Sequence, residues 1–314
     1  MQEQGELVAE YGTSFTRTAV HRCPDDEWGW RWVRSAGPSR AAPMRVPPEP
    51  AAEAIARLPE GALRFSLPRQ VGDTLVHKAG GPLALAKLLM SRHPGEAYPL
   101  ARSMLRELGA ALRRLHAAPA GEAAAASHPG LRRLSRWLAG EPPADTEQPT
   151  AGQLLQAVVE RLGPERRTTL QAWCSTVLED QAGRVLLHGN PGSGLVVPDP
   201  DGRAGVLLVG EDLAAGPAYV DTGWVLGELA ELRGVIRSKG GAAPAAQWST
   251  LGRSFVEGHG GDLPGEAGIV ATLGVLAHIR DYCAFVGWDE WWISVALDIV
   301  AEEVDKRGSG MLEW

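Results

Sequence analysis

Residues 185–231, VLLHGNPGSGLVVPDPDGRAGVLLVGEDLAAGPAYVDTGWVLGELAE, constrain the fold of this chain more than any other stretch. Val185, Leu186 and Leu187 run into a loop rich in Gly and Pro, the pattern of a short buried strand. Two more apolar runs, 195–197 and 206–209, flank Asp199-Pro200-Asp201-Gly202, which predicts a β-hairpin. After an irregular segment, Asp221 or Thr222 supplies the N-cap of a helix. So many direction changes in so few residues define a compact centre around which the rest must pack.

A chain of 314 residues suits two lobes of ordinary size. Its net charge of -7 argues against a general nucleic-acid or anionic-membrane surface. Arginines cluster at 102, 106, 113 and 114 and again at 132, 133 and 136; solvated helix faces are expected, with an acidic peptide or phosphate as the alternative. Cys23, Cys174 and Cys283 have no Cys-x-x-Cys spacing and the histidines no His-x-x-x-His spacing, so neither a disulfide framework nor a transition metal is expected. No apolar run reaches ~20 residues and the first residues lack a signal pattern, so a cytoplasmic chain without a membrane span is expected.

Segments 13–22 and 27–34 are rich in β-branched and aromatic residues around Cys23-Pro24-Asp25-Asp26, which predicts a hairpin. Tyr11-Gly12-Thr13-Ser14 has one Gly and reads as the start of a strand more than as a phosphate loop. Residues 64–78 predict two more strands about Gly72-Asp73. Helices are expected at 51–58, 98–117, 131–138, 152–162, 164–178, 222–237, 245–257, 264–286 and 288–306. The last should bury Trp292, Val295, Ile299 and Val304 and leave Glu302 and Glu303 to water. Trp288, Trp291 and Trp314 exceed that stripe and suggest a partner surface. The polar connector 140–150 reads as a mobile surface loop.

His188-Gly189-Asn190, the Asp201-Gly202 turn, strand 206–209, Gly216-Pro217 and Asp221-Thr222-Gly223-Trp224 resemble the catalytic core of the aminoglycoside phosphotransferase and choline kinase branch of the protein-kinase-like fold. There a strand ends in His-Gly-Asp, an Asn follows five residues later, and a hairpin and an Ile-Asp strand come next. The resemblance implies an α+β, bilobal fold. A small antiparallel β lobe and hinge would occupy 1–82, and a larger mostly helical lobe, 83–314, would contain the catalytic-loop-like hairpin 185–210.

It makes His188 and Asn190 the catalytic turn, with Asn190 in place of the family's catalytic Asp. Leu195 and Val209 stand where the family has its metal-binding Asn and Asp. Arg34 and Glu53 would replace the Lys/Glu pair that grips the nucleotide phosphates, and Lys78 would precede the hinge, whose backbone groups hold adenine; surface charges are the alternative for Arg34 and Lys78. ATP and Mg are the implied cofactors. Glu211 and Asp212 are the nearest carboxylates to supply a displaced metal site, against a solvated charge and a turn cap. Asp221 would bond backbone at His188 or Gly189, worth about 1 to 3 kcal/mol.

The segment 210–229 also looks like kinase-like subunits of ribosomal-peptide tailoring systems, including those of class V lanthipeptides. That likeness implies ATP-dependent phosphorylation of Ser or Thr in a ribosomally made peptide, with the peptide substrate or its leader peptide, and a lyase, as partners. The alternative is a pseudokinase that scaffolds a modifying complex, because apolar Leu195 and Val209 cannot ligate magnesium.

Overall fold

The computed structural model describes residues 5–90, 94–118, 127–141, 147–239 and 242–314. Residues 1–4 of the N-terminal reading and 142–146 of the 140–150 connector lie outside them.

An antiparallel sheet in the order β1-β2-β3-β6-β5 forms the N-terminal lobe: β1 Glu6–Gly12, β2 Thr16–Arg22, β3 Trp30–Ala36, β5 Arg69–Val71 and β6 Thr74–Ala79. The predicted hairpin is β2 and β3, paired from Thr16↔Ala36 to Arg22↔Trp30. Sequence reasoning missed β1, an edge strand whose residues are almost all exposed, so it has no inward-outward alternation to detect. Gly72 turns β5 into β6 at φ +56°, a left-handed conformation that Gly adopts freely.

β4 (Leu63–Ser66) departs from expectation. Residues 64–78 predict two strands of the small lobe, but β4 leaves that sheet and pairs in parallel with β9 (Gly205–Leu208) of the central hairpin. β8 (Val196–Pro198) completes a three-stranded sheet, β4-β9-β8. Ser66 ties this sheet back to β6, its hydroxyl donating to the Lys78 carbonyl and its own carbonyl bonding His77 Nδ1. β4 thus bridges the lobes.

The remaining elements are mostly helical: α1 Glu49–Ala56, α2 Leu85–Leu89, α3 Pro94–His116, α4 Pro129–Leu138, α5 Thr150–Glu179, α6 Tyr219–Ser238, α7 Ala242–His259, α8 Gly265–Phe285 and α9 Glu290–Asp305. A two-stranded sheet pairs β7 (Arg184–Leu187) with β10 (Ala214–Pro217). The expected helices 152–162 and 164–178 are the two arms of α5, broken at Gly163 (φ +78°) ahead of Pro164. α8 has the length and mean hydropathy of a membrane-crossing helix, yet 78% of its most apolar window is buried inside the protein. It is the core helix, which explains why its apolar positions follow no single stripe.

α9 is rotated from the predicted stripe. Ile293, Ala296, Leu297, Val300 and Val304 are buried, while Trp292, Val295 and Ile299 are only half-buried. Glu303, expected in water, is buried and accepts from the Met311 amide, because the C-terminal 3-10 turn Ser309–Leu312 folds back over it. Cys23, Cys174 and Cys283 are buried free thiols.

Candidate functional site

β7 delivers the chain to His188-Gly189-Asn190, and α6 supplies the group that fixes this turn. Asp221, in the first turn of α6, is fully buried, and its carboxylate accepts from the amides of His188 (2.7 Å) and Gly189 (3.0 Å). His116, at the end of α3, donates Nε2–H to the same carboxylate at 3.0 Å. Burial opposes the charge on Asp221, but these donors and the neighbouring His188 outweigh it and hold the carboxyl below its usual range. His188 Nε2 bonds the Leu208 carbonyl at 3.1 Å, so that nitrogen carries the hydrogen. Burial lowers its pKa, against the pull of the Asp221 carboxylate. Gly189 has φ +79°, and a Cβ there would collide with the Asp212 carbonyl, so the glycine is required twice over.

Asn190 faces two adjoining cavities of about 290 Å3 each. Both are also lined by Arg133, Asp212, His278 and Asp281. Its carboxamide oxygen accepts from Trp224 Nε1 at 3.1 Å, and the Trp224 ring in turn packs at a tilt against His128. Arg133 donates to Asp281 at 2.8 Å, and Asp281 also accepts from Arg280 at 2.7 Å. Glu228, pushed up by burial, accepts from both the amide and the hydroxyl of Ser193.

Glu231, only 2% exposed, accepts from His278 Nδ1 and Trp292 Nε1. The Glu231 carboxylate raises the His278 pKa to about 9, although the outer part of that ring is exposed. A raised histidine contributes stability fully below its ordinary value near 6.5 and loses it as pH rises through 9. Melting temperature should therefore fall between pH 7 and 10, and His278→Gln should flatten that fall; equal slopes would contradict it. Solvent screening at the exposed ring keeps the effect small.

The structure brings some of the other expected residues to this cleft and excludes others. Arg34 lines the second cavity with Glu211 and Asp212. Burial lowers its pKa and the two acids oppose that. Glu53 does not pair with it: α1 buries Ala51 and Ile55, so Glu53 points outward and bonds Arg57. Lys78 is excluded as well. β6 turns Leu75, His77 and Ala79 inward, leaving Lys78 55% exposed on its side chain beside Asp26 and Glu27.

Glu211 is ion-paired with Arg40 and accepts from the Arg45 amide. Among the described residues no three His, Cys, Asp or Glu side chains converge as a metal site. Leu195 packs against the core and Val209 lies wholly inside it.

Sequence reasoning missed Trp32 and Asp281, and it expected Arg133 on a solvated helix face, whereas the structure pairs it with Asp281 in the cleft. Trp32 had a usable signal, because it lies two residues before Arg34 and strand alternation puts both on one face. Arg133 and Asp281 are 148 residues apart, and nothing local announces their pairing.

No protein-family model and no curated protein matches this sequence. Solved structures do. A glucosamine kinase is 18% identical, with TM-score 0.50 over 88% of this chain and 76% of that one. A spectinomycin phosphotransferase in complex with ADP and spectinomycin is 11% identical, with TM-score 0.50 over 98% of this chain and 92% of that one. A choline/ethanolamine kinase family protein from Mesorhizobium loti is 16% identical, with TM-score 0.48 over 98% and 92%. The first two show that this chain has the kinase-like fold, a small antiparallel β lobe joined to a larger helical one.

Proposed function

We propose that this chain is a kinase-fold binding module, a pseudokinase that holds a peptide segment in its cleft without transferring a phosphoryl group. Val209 carries this reading. It is fully buried immediately after β9, and Leu195 packs on the same core. Magnesium needs oxygen ligands, and phosphoryl transfer needs the metal's charge on the phosphates. The two positions that the resemblance gives to metal ligands therefore do not fit magnesium.

The turn that would cover the phosphates of ATP does not fit them either. The Thr13 amide donates to the Thr16 carbonyl, the Ser14 amide to Phe285, and the Phe15 and Thr16 amides to the Thr13 hydroxyl. Four successive amides are thus engaged within the protein, and anion cradles require such groups to be free. The cavities at Asn190 support a ligand instead. Charges of both signs, the Trp224 ring and exposed glycine backbone suit an extended peptide, whose groups are equally mixed. A lyase that acts on the held peptide is the partner this reading proposes.

The competing reading, ATP-dependent phosphorylation of a peptide Ser or Thr, requires magnesium on Glu211 and Asp212. Glu211 is already neutralised by Arg40. Isothermal titration of ADP with and without magnesium, together with transfer of labelled γ-phosphate to the cognate peptide, separates the two. No magnesium enhancement and no transfer are expected. Magnesium-dependent turnover that disappears in a folded Glu211→Ala/Asp212→Ala variant would replace this reading with a relocated metal site.

A further inference from the structure

Trp32 is the largest fully buried side chain between the five-stranded sheet and the β8–β9 hairpin, only 1% exposed. Val20 and Ala79 from the sheet, and Val197, Val206 and Leu208 from the hairpin, pack around it. The Tyr11 ring meets it edge-on at 5.8 Å. Its indole N–H donates to the carbonyl of Gly81, at 2.9 Å, in the connection that follows β6. That connection has no slack: a Cβ on Gly81 would strike the Pro198 carbonyl, and one on Gly80 would strike the Asp199 carboxylate.

A nucleobase bound between the lobes has the same needs. It is a flat bicyclic heteroaromatic ring that seeks two apolar walls and a backbone carbonyl for its N–H. Here the walls are in contact with indole, and the carbonyl already has its donor. We propose that Trp32 is a built-in occupant of the nucleobase place of this fold, which closes it to adenine nucleotides with or without a metal. The inference goes beyond the binding-module reading, since loss of the metal ligands alone would still permit metal-free nucleotide binding. Trp32 is no swinging lid, because its strand is paired on both sides and its indole is buried and bonded to the Gly81 carbonyl.

Trp32→Ala tests this directly, since a dry apolar cavity of about 150 Å3 accepts an aromatic guest. The variant should melt several degrees lower, and millimolar indole or adenine should restore part of that loss while leaving the wild type unchanged. Nuclear magnetic resonance titration of the wild type with adenine and ADP, without magnesium, should produce no shifts. Trp32→Phe, which keeps one aromatic ring of the two and drops the N–H donor, should fold and also ignore adenine; this arm and the wild-type titration decide the matter if the alanine variant fails to fold. Adenine or ADP binding to the wild type overturns the proposal, and so does a folded Trp32→Ala variant that neither indole nor adenine stabilises. Metal-free ADP binding without transfer would overturn it while leaving the binding-module reading intact.

Discussion

Asp221→Ala is expected to cost about 3 to 5 kcal/mol of folding stability, the range for removing one member of a buried charged network. The sequence alone suggests less, because it shows one bond where the structure shows three. Without the carboxylate, the His188 and Gly189 amides and His116 Nε2 lose their acceptor in a place that water does not reach. Asp221→Asn should be nearly as damaging, since its NH2 group must then face one of those donors. Urea unfolding gives the measurement, with the midpoint shifted and the slope unchanged if the folded variant keeps its compactness. A depressed carboxyl contributes stability above its ordinary pKa of 3.8 and loses it as pH falls through the folded value. The gap between wild type and Asp221→Ala should therefore narrow only in acid. A loss below 1 kcal/mol at neutral pH would mean that the turn is held by something else.

Asp221 also shows which parts of the fold were legible in the sequence. Its place near the start of a helix, 33 residues after the turn residue that it holds, follows from the order of motifs, but the expected N-cap role does not hold: the helix begins at Tyr219 after Ala218, and Asp221, inside the first turn, gives its carboxylate to the His188 and Gly189 amides. The strand and helix order followed from periodicity, because most elements present one face to one core. Where an element is buried all round, as α8 is, or exposed on both faces, as β1 is, the period carries no information. The parallel pairing of β4 with β9 was illegible for another reason: pairing over 142 residues, Leu63 with Gly205, is a property of the assembled lobes and not of any window.

The candidate site divides along the same line. Its scaffold glycines and Asp221 were readable, and the substitutions at Asn190, Leu195 and Val209 were visible against the resemblance. The consequences of those substitutions were not. An Asn in place of a catalytic Asp leaves the chemistry open until Trp224 is seen to donate to its carboxamide. An Arg in place of a Lys leaves its partner open until α1 is seen to face Glu53 away. Nor could spacing show that Arg40 would reach Glu211 from the Pro-rich connector and neutralise the carboxylate a relocated metal would need.

The second large effect is expected at Arg280, far in sequence from the central motifs but bonded to Asp281 of the cleft. Only 4% exposed, it extends from α8 to Glu147 Oε1 at 2.5 Å and to Asp281 at 2.7 Å. Arg280→Ala leaves the largely buried Glu147 carboxylate without its ion-pair partner, and its second oxygen already lacks a hydrogen-bond partner. Asp281 retains Arg133, so the loss falls mainly on Glu147. The expected cost is about 3 to 5 kcal/mol, because an uncompensated buried charge is far more costly than the pair itself is favourable. Glu147→Leu combined with Arg280→Met removes both charges and keeps the volume, and should recover most of that loss. A double-mutant cycle by urea denaturation reads the coupling, which should approach the size of either single effect. Additive losses would instead show that Glu147 reaches water, and that the helix end carrying Phe285, on which the Ser14 turn rests, owes its position to packing alone.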